Sequence, residues 1–279
     1  MNEPIRTAID LNCDLGEGGA HDAALMPLVS SANIACGGHA GDEATMAATV
    51  ALARRHGVAI GAHPGHADRE HFGRRELPIS PAAAAGLVVE QVTRLAALVG
   101  EPPRHVKLHG GLYHQVSRDD VLAEAVSEAI AARWPRMILL APSGSRLVTV
   151  ARARGLAVAA EAFIDRAYAA DGSLVPRSQP GAVIADATLA AARAVRLARQ
   201  GVVEASDGAT LPLAADTLCL HGDGPDPVGL AAAVREALAA AGITVRAGEG
   251  VARSATRVDN PPGTINEAQG CFHARPHPP

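Results

Sequence analysis

The amino-acid sequence predicts a parallel α/β fold in one large domain, and three observations predict it. Seven short apolar runs of strand length alternate with stretches of helical apolar spacing, as expected where strands pair in parallel through crossover helices. Each run gives way at its C-terminal end to polar or glycine-rich sequence. The composition, 48% hydrophobic but only 2% aromatic over 279 residues, requires a core of Ala, Val, Leu and Ile, and the length admits a single α/β barrel.

The strand candidates, in order, are TAIDLNC (7–13), SANIAC (31–36), VAIGAH (58–63), HVKLH (105–109), MILLAP (137–142), LAVAAEAFID (156–165) and TLCLHG (217–222). Helical spacing marks 42–57, 80–100, 119–134 and 226–242. Asp42 and Ser80 stand where side chains cap a first turn, Pro81 at a first helical position, and Gly57, Gly100 and Gly242 just past helix ends. In HVKLH, His105, Lys107 and His109 share one parity, so an extended chain points all three to one face, which cannot be an oily core.

Several function classes are disfavoured. A net charge of −4 with no long basic run argues against nucleic-acid binding. No apolar run is read as long enough to span a membrane, and MNEPIRTAID lacks the apolar centre of a signal peptide, so a cytoplasmic protein is expected. Cys13, Cys36, Cys219 and Cys271 are widely spaced and read as small buried residues of a reducing compartment, not a disulfide framework.

In parallel α/β folds the carboxyl ends of the strands line one mouth, where ligands bind. Asp14, His39, His63, His109, Asp165 and His221 all follow or end a strand candidate and form a candidate ring. Lys107, inward on a buried strand, must be ion-paired or functional. His21, His56, His66 and His71 fall in or beside helices and loops and are expected to be solvated. GEGG (16–19) lacks the full dinucleotide fingerprint, and no P-loop occurs.

The motifs IDLNCDLGEG, LVSSANIACGGHAGD, GVAIGAHPG, FGRR, HVKLHGGLYH, DRAYAADGSLVPRSQPGAVI and TLCLHGDGP together resemble the LamB/YcsF family, the A subunits of bacterial 5-oxoprolinase, over roughly residues 8 to 247. The resemblance implies a seven-stranded β/α barrel of the glycoside hydrolase/deacetylase type. It also implies opening of 5-oxoproline to L-glutamate with ATP as co-substrate, in a complex with B and C subunits. The family commonly has Phe at Gly38, Pro at Leu108 and Asn at His114. Loss of a ring at Gly38 is expected to leave space beside His39, and these departures bear on substrate range, not on reaction class.

Lactam opening needs a proton acceptor for water and compensation of charge growing on oxygen. Asp14, His63, Lys107 and His109 are the expected catalytic residues, and alanine at any of them is expected to reduce turnover with little change in melting temperature. Glu17, His39, Arg75, Asp165, Arg166 and His221 are expected to contact substrate, the arginines by anchoring carboxylate or phosphate. A divalent metal on Asp14, His63 and His109 is a further expectation, and it supports an alternative, a stand-alone metal-dependent amidohydrolase or deacetylase. A non-catalytic substrate-binding subunit is the third reading, and self-association is left open. The barrel is expected to fill 1–247, with a poorly ordered polar tail from 248 to 279.

Overall fold

A computed structural model describes residues 7–248. The chain runs β1 (Ala8–Leu15), α1 (Asp22–Leu25), β2 (Ser31–Ala35), α2 (Glu43–His56), β3 (Ala59–His63), α3 (Pro81–Val99), β4 (His105–Lys107), α4 (Gly110–Arg118), α5 (Asp120–Arg133) and β5 (Ile138–Pro142). It continues through α6 (Arg146–Ala153), β6 (Ala157–Phe163), α7 (Ala187–Gln200), β7 (Val202–Glu204), β8 (Thr210–Pro212), β9 (Thr217–His221), α8 (Pro227–Ala240) and β10 (Thr244–Val245). Strands β1, β2, β3, β4, β5, β6 and β9 pair in parallel in that order, and β9 returns to β1 to close a seven-stranded barrel. Each of the seven strand candidates overlaps one barrel strand, β1 running two residues past its candidate. The tail expected from 248 lies outside the described residues except for Gly248.

The helix ends form as their residues dictate. Asp42 accepts from Thr45 N at 2.8 Å, Ser80 accepts from Ala83 N at 3.2 Å with Pro81 opening α3, and Gly57 and Gly100 close α2 and α3 with positive φ. Besides the one-turn α1, three helices that follow strands escape the apolar-spacing reading. These are α4, which starts at the glycine pair 110–111, α6 and the alanine-rich α7. The β7–β8 hairpin, three residues per strand, is also new.

Alternation along each strand separates two layers. On β1, Ile9, Leu11, Cys13 and Leu15 are buried in the apolar core, which continues through Val88, Val92 and Leu95 of α3. The intervening Asp10, Asn12 and Asp14 are buried as well and bond across the barrel interior to Thr217, Asn33 and Lys107. The barrel interior is therefore polar along this side, and its polar side chains pair with one another, as buried polar groups generally do. Gly61 on β3 is required by this filling, since a Cβ there would lie 2.0 Å from His105 Nε2.

Two expectations change. One helix, α3, does have the length and apolarity to cross a membrane, but its buried face packs in the barrel core. His66 is buried, not solvated, because α4 brings Gln115 to 2.6 Å from its Nε2.

Candidate active site

Register places the site. Asp14 is the residue of β1 aligned with Asn33 on β2 and with His221 on β9, so three strand ends converge on one carboxylate. Its Oδ1 accepts from Asn33 Nδ2 at 2.8 Å and Lys107 Nζ at 2.9 Å, while Oδ2 lies 3.3 Å from His63 Nε2 and 3.8 Å from His221 Nε2. Burial alone would raise this carboxyl, but His63 and Lys107 beside it hold it well below the usual range.

Lys107 is the one lysine of the entire chain, which otherwise uses arginine for its basic residues. It is only 2% exposed. Its ammonium sits between Asp14 and Glu161, 2.9 and 3.1 Å away, with Cys219 Sγ at 3.0 Å. Burial alone would strip the proton, but the carboxylates keep it well above its ordinary value. Tyr113 of α4 donates to the other oxygen of Glu161 at 2.5 Å. Glu161 and Tyr113 were not among the candidates, although a glutamate inside the alanine-rich β6 was the available signal.

Three imidazoles stand beside this pair. His63 Nδ1 donates to the Lys107 carbonyl at 2.8 Å, and His109 Nε2 donates to the Phe72 carbonyl at 2.8 Å. Those acceptors fix both tautomers and leave His63 Nε2 and His109 Nδ1 facing each other at 2.9 Å. Two lone pairs cannot meet at that distance, so a proton or a cation must lie between them. His39 stacks on His109 with centroids 3.6 Å apart, and its Nε2 is 3.0 Å from Glu17 Oε1, while its buried Nδ1 has no hydrogen-bond partner. One donor atom each of Glu17, His39, His63 and His109 falls within a 4.8 Å span, a spacing that suits one metal ion, and Asp14, Cys219 and His221 form a second such group. The donor set fits a divalent cation of the zinc type, with backbone carbonyls orienting two of its imidazoles.

Burial pushes His39 and His109 down, whereas Asp14 and Glu17 outweigh burial at His63 and raise it. Phe72, the one non-glycine residue among those described with positive φ, at 54°, turns its carbonyl onto His109 and its ring edge against His39. On the far side, Asp165 Oδ2 accepts from His221 Nδ1 and from its backbone N, both at 2.8 Å. This fixes the proton on Nδ1 and leaves His221 Nε2 free on the side of Asp14.

The structure thus gathers Asp14, Glu17, His39, His63, Lys107, His109, Asp165 and His221 at one mouth. Among these, Asp14 stands in the neighbouring donor group rather than with His63 and His109. The two arginine candidates are engaged elsewhere. Arg75 holds Asp68 through Nε and Nη2 at 2.9 Å each, and buried Arg166 donates to the carbonyls of Ala182 and Val175. At Gly38 a Cβ would lie 2.6 Å from the Gly65 carbonyl and 2.7 Å from the Gln91 amide of α3, and a cavity of about 340 Å³ lined by Gly37, Gly38 and Gln91 adjoins it. Leu108 is buried in the core and His114 is exposed on α4. A cavity of about 310 Å³ lined by Asp10, Ser31 and His105 opens at the opposite end of the barrel, away from this cluster.

Fold and site define a closed parallel β/α-barrel protein with a buried carboxylate–lysine pair and a histidine cluster at the C-terminal mouth. The chain belongs to the LamB/YcsF family, which it matches over residues 9–253. It is 50% identical over 247 residues to the A subunit of 5-oxoprolinase from Chloroflexus aggregans, covering 86% of this chain and 98% of that one. Identity to the A subunit of 5-oxoprolinase from Bordetella pertussis is 48% over 251 residues, covering 87% and 100% of the two chains. The crystal structure of the lactam utilization protein from Thermus thermophilus superposes with a TM-score of 0.80 at 45% identity, over 86% of this chain and 99% of that one.

Proposed function

We propose that this chain is the A subunit of an ATP-dependent 5-oxoprolinase, opening the lactam of 5-oxo-L-proline to L-glutamate together with B and C subunits. The observation that carries the reading is the convergence of Asp14, Lys107, His63, His109 and His221 on one mouth, in a chain similar over nearly their whole length to proteins named for this activity.

A lactam is a resonance-stabilised amide. Transfer of the ATP γ-phosphoryl group to its carbonyl oxygen makes that oxygen a leaving group. Water then adds at the carbonyl carbon, the nitrogen takes a proton as the C–N bond breaks, and the acyl phosphate so formed is cleaved by a second water to the carboxylate and phosphate. One water opens the ring and a second balances ATP hydrolysis to ADP and phosphate. In this reading His221 Nε2, its tautomer set by Asp165, takes the proton from the attacking water and returns it to the leaving nitrogen. Asp14 stabilises the resulting imidazolium, and Lys107 keeps Asp14 ionised. Glu17, His39, His63 and His109 are the residues that would hold a divalent cation. Such an ion would supply Lewis-acid polarisation of the substrate oxygen or of water. The described residues include no glycine-rich phosphate cradle of the P-loop kind, which favours a nucleotide site completed by a partner protein.

The four-donor cluster also favours a second reading, a metal-dependent amidohydrolase acting alone. Purifying the chain with and without the partner subunits, adding 5-oxoproline with and without ATP, and measuring glutamate and phosphate separates the two. Equimolar products only in the complete, ATP-containing mixture support the first. Glutamate from this chain without ATP consumption establishes the second.

A further inference from the structure

We propose that Arg74 and Arg177 form an anion clamp over the barrel mouth that takes the carboxylate of the lactam substrate, with Asp223 occupying it in the ligand-free protein. The proposal rests on the lactam reading and adds the means by which the substrate carboxylate is recognised.

Three loops from distant parts of the chain meet at this point. Arg74, after β3, donates through Nη2 to Asp223 Oδ2 at 2.7 Å, and Arg177, between β6 and α7, donates to the same oxygen at 3.0 Å. Asp223 itself lies two residues past His221, at the end of β9. The clamp stands one layer outside the histidine cluster. The Arg74 guanidinium is 5.0 Å from the centre of the Phe72 ring, which in turn lies 5.6 Å from the His39 ring and 5.5 Å from the His109 ring. Arg177 is close enough to Asp165 to help lower its pKa, after the larger contribution of His221 outweighs burial.

Charge accounting at the mouth points to these two residues. An incoming carboxylate needs a cation that is not already neutralised. Lys107 is enclosed by Asp14 and Glu161, Arg75 is held by Asp68, and Arg166 is committed to backbone carbonyls. Arg74 and Arg177 share one carboxylate, so the trio carries one surplus positive charge. Their side chains are 45% and 27% exposed, and that of Asp223 is 40% exposed, so the clamp is open to solvent. Exposed ion pairs of this kind contribute little to folding. Exchange of Asp223 for a ligand carboxylate therefore costs the fold little, and two guanidinium forks suit a carboxylate's geometry.

The test compares 5-oxoproline with 2-pyrrolidinone, the same lactam without its carboxylate, in the complete enzyme mixture. In the Arg74→Gln, Arg177→Gln double variant, KM for 5-oxoproline should rise by about tenfold or more with a much smaller change in kcat. Inhibition by 2-pyrrolidinone should stay within about twofold of wild type, because it offers the clamp nothing to bind. Asp223→Asn, which removes the internal competitor, should lower KM for 5-oxoproline. Equal loss for both lactams, or an unchanged KM for 5-oxoproline, would overturn the clamp. If the double variant misfolds, the two single Gln variants are read the same way. If the wild-type mixture leaves 5-oxoproline intact, the lactam reading fails separately, and calorimetric titration of the full chain with both compounds decides the clamp. Carboxylate-dependent binding that the variants lose supports it, while equal binding of both compounds, or none, overturns it.

Discussion

His63 and His109 meet nitrogen to nitrogen at 2.9 Å, each with its other ring nitrogen tied to a backbone carbonyl. The contact demands a positive charge between the rings, and Glu17 and His39 supply two further donors around the same point. Zn²⁺ or Mn²⁺ should therefore bind the metal-free chain and raise its melting temperature. His39→Ala and His109→Ala should each weaken that binding by about tenfold or more, since each removes a ligand from a four-donor set. Calorimetric titration checks this, and wild-type affinity in both variants would exclude the cluster as the cation site.

Lys107 should depart from the expectation that its loss leaves melting unchanged. It is the shared partner of two buried carboxylates, so Lys107→Met should lower stability by about 3–5 kcal/mol through the unpaired charges it leaves behind. Urea unfolding measures that loss. The chain has a single lysine, so ¹⁵N-lysine labelling should give one side-chain resonance, which should remain in its ammonium form at pH 10 because both carboxylates raise its pKa.

The Asp165–His221 pair makes a prediction about catalysis. Asp165→Asn preserves shape but permits the wrong imidazole tautomer, and His221→Gln removes the proton carrier. Each should reduce glutamate formation in the complete mixture by about a hundredfold or more, with circular-dichroism melting close to wild type. Full turnover in both would remove His221 from the proton path.

Acid stability should report on the barrel interior. Burial first, then the charges of Arg104 and Lys107, push His105 down to about 3 from the 6.5 of a free histidine. Its neutral ring donates from Nε2 to Asn33 Oδ1 at 2.8 Å. Between those two pH values the unfolded chain binds a proton that the folded chain refuses. The stabilisation is therefore complete above pH 6.5 and is lost as pH falls through about 3. From pH 7 to pH 4 the wild type should lose on the order of 3 kcal/mol more than His105→Gln does. Parallel stability curves for the two proteins would contradict this.

The barrel was legible because strands buried on both faces stand out as short apolar runs, each followed by polar residues that chain geometry sends to one end. The same logic located Asp14, His63, His109 and His221. It passed over Glu161 because that residue sits within an alanine-rich run, and over Tyr113 because α4 begins where the glycine pair suggested a break. Arg74, Arg177 and Asp223 were not recognisable as a group, since they are brought together only by loops 46 to 149 residues apart in sequence. The burial of His66 is hidden from the sequence for a related reason: its partner Gln115 arrives from a helix 49 residues downstream.

The central claim, that the mouth built around Asp14 opens the lactam in an ATP-coupled complex, is tested most directly by one substitution. The complete mixture of this chain and its partner subunits is assayed with 5-oxoproline and ATP, once with wild type and once with Asp14→Asn. That change keeps the shape and removes the charge shared by Lys107, His63 and His221. Wild type should release glutamate and phosphate in equal amounts, and Asp14→Asn should form glutamate at least about a hundredfold more slowly while remaining folded. Undiminished glutamate formation by folded Asp14→Asn would place the chemistry elsewhere and contradict the account.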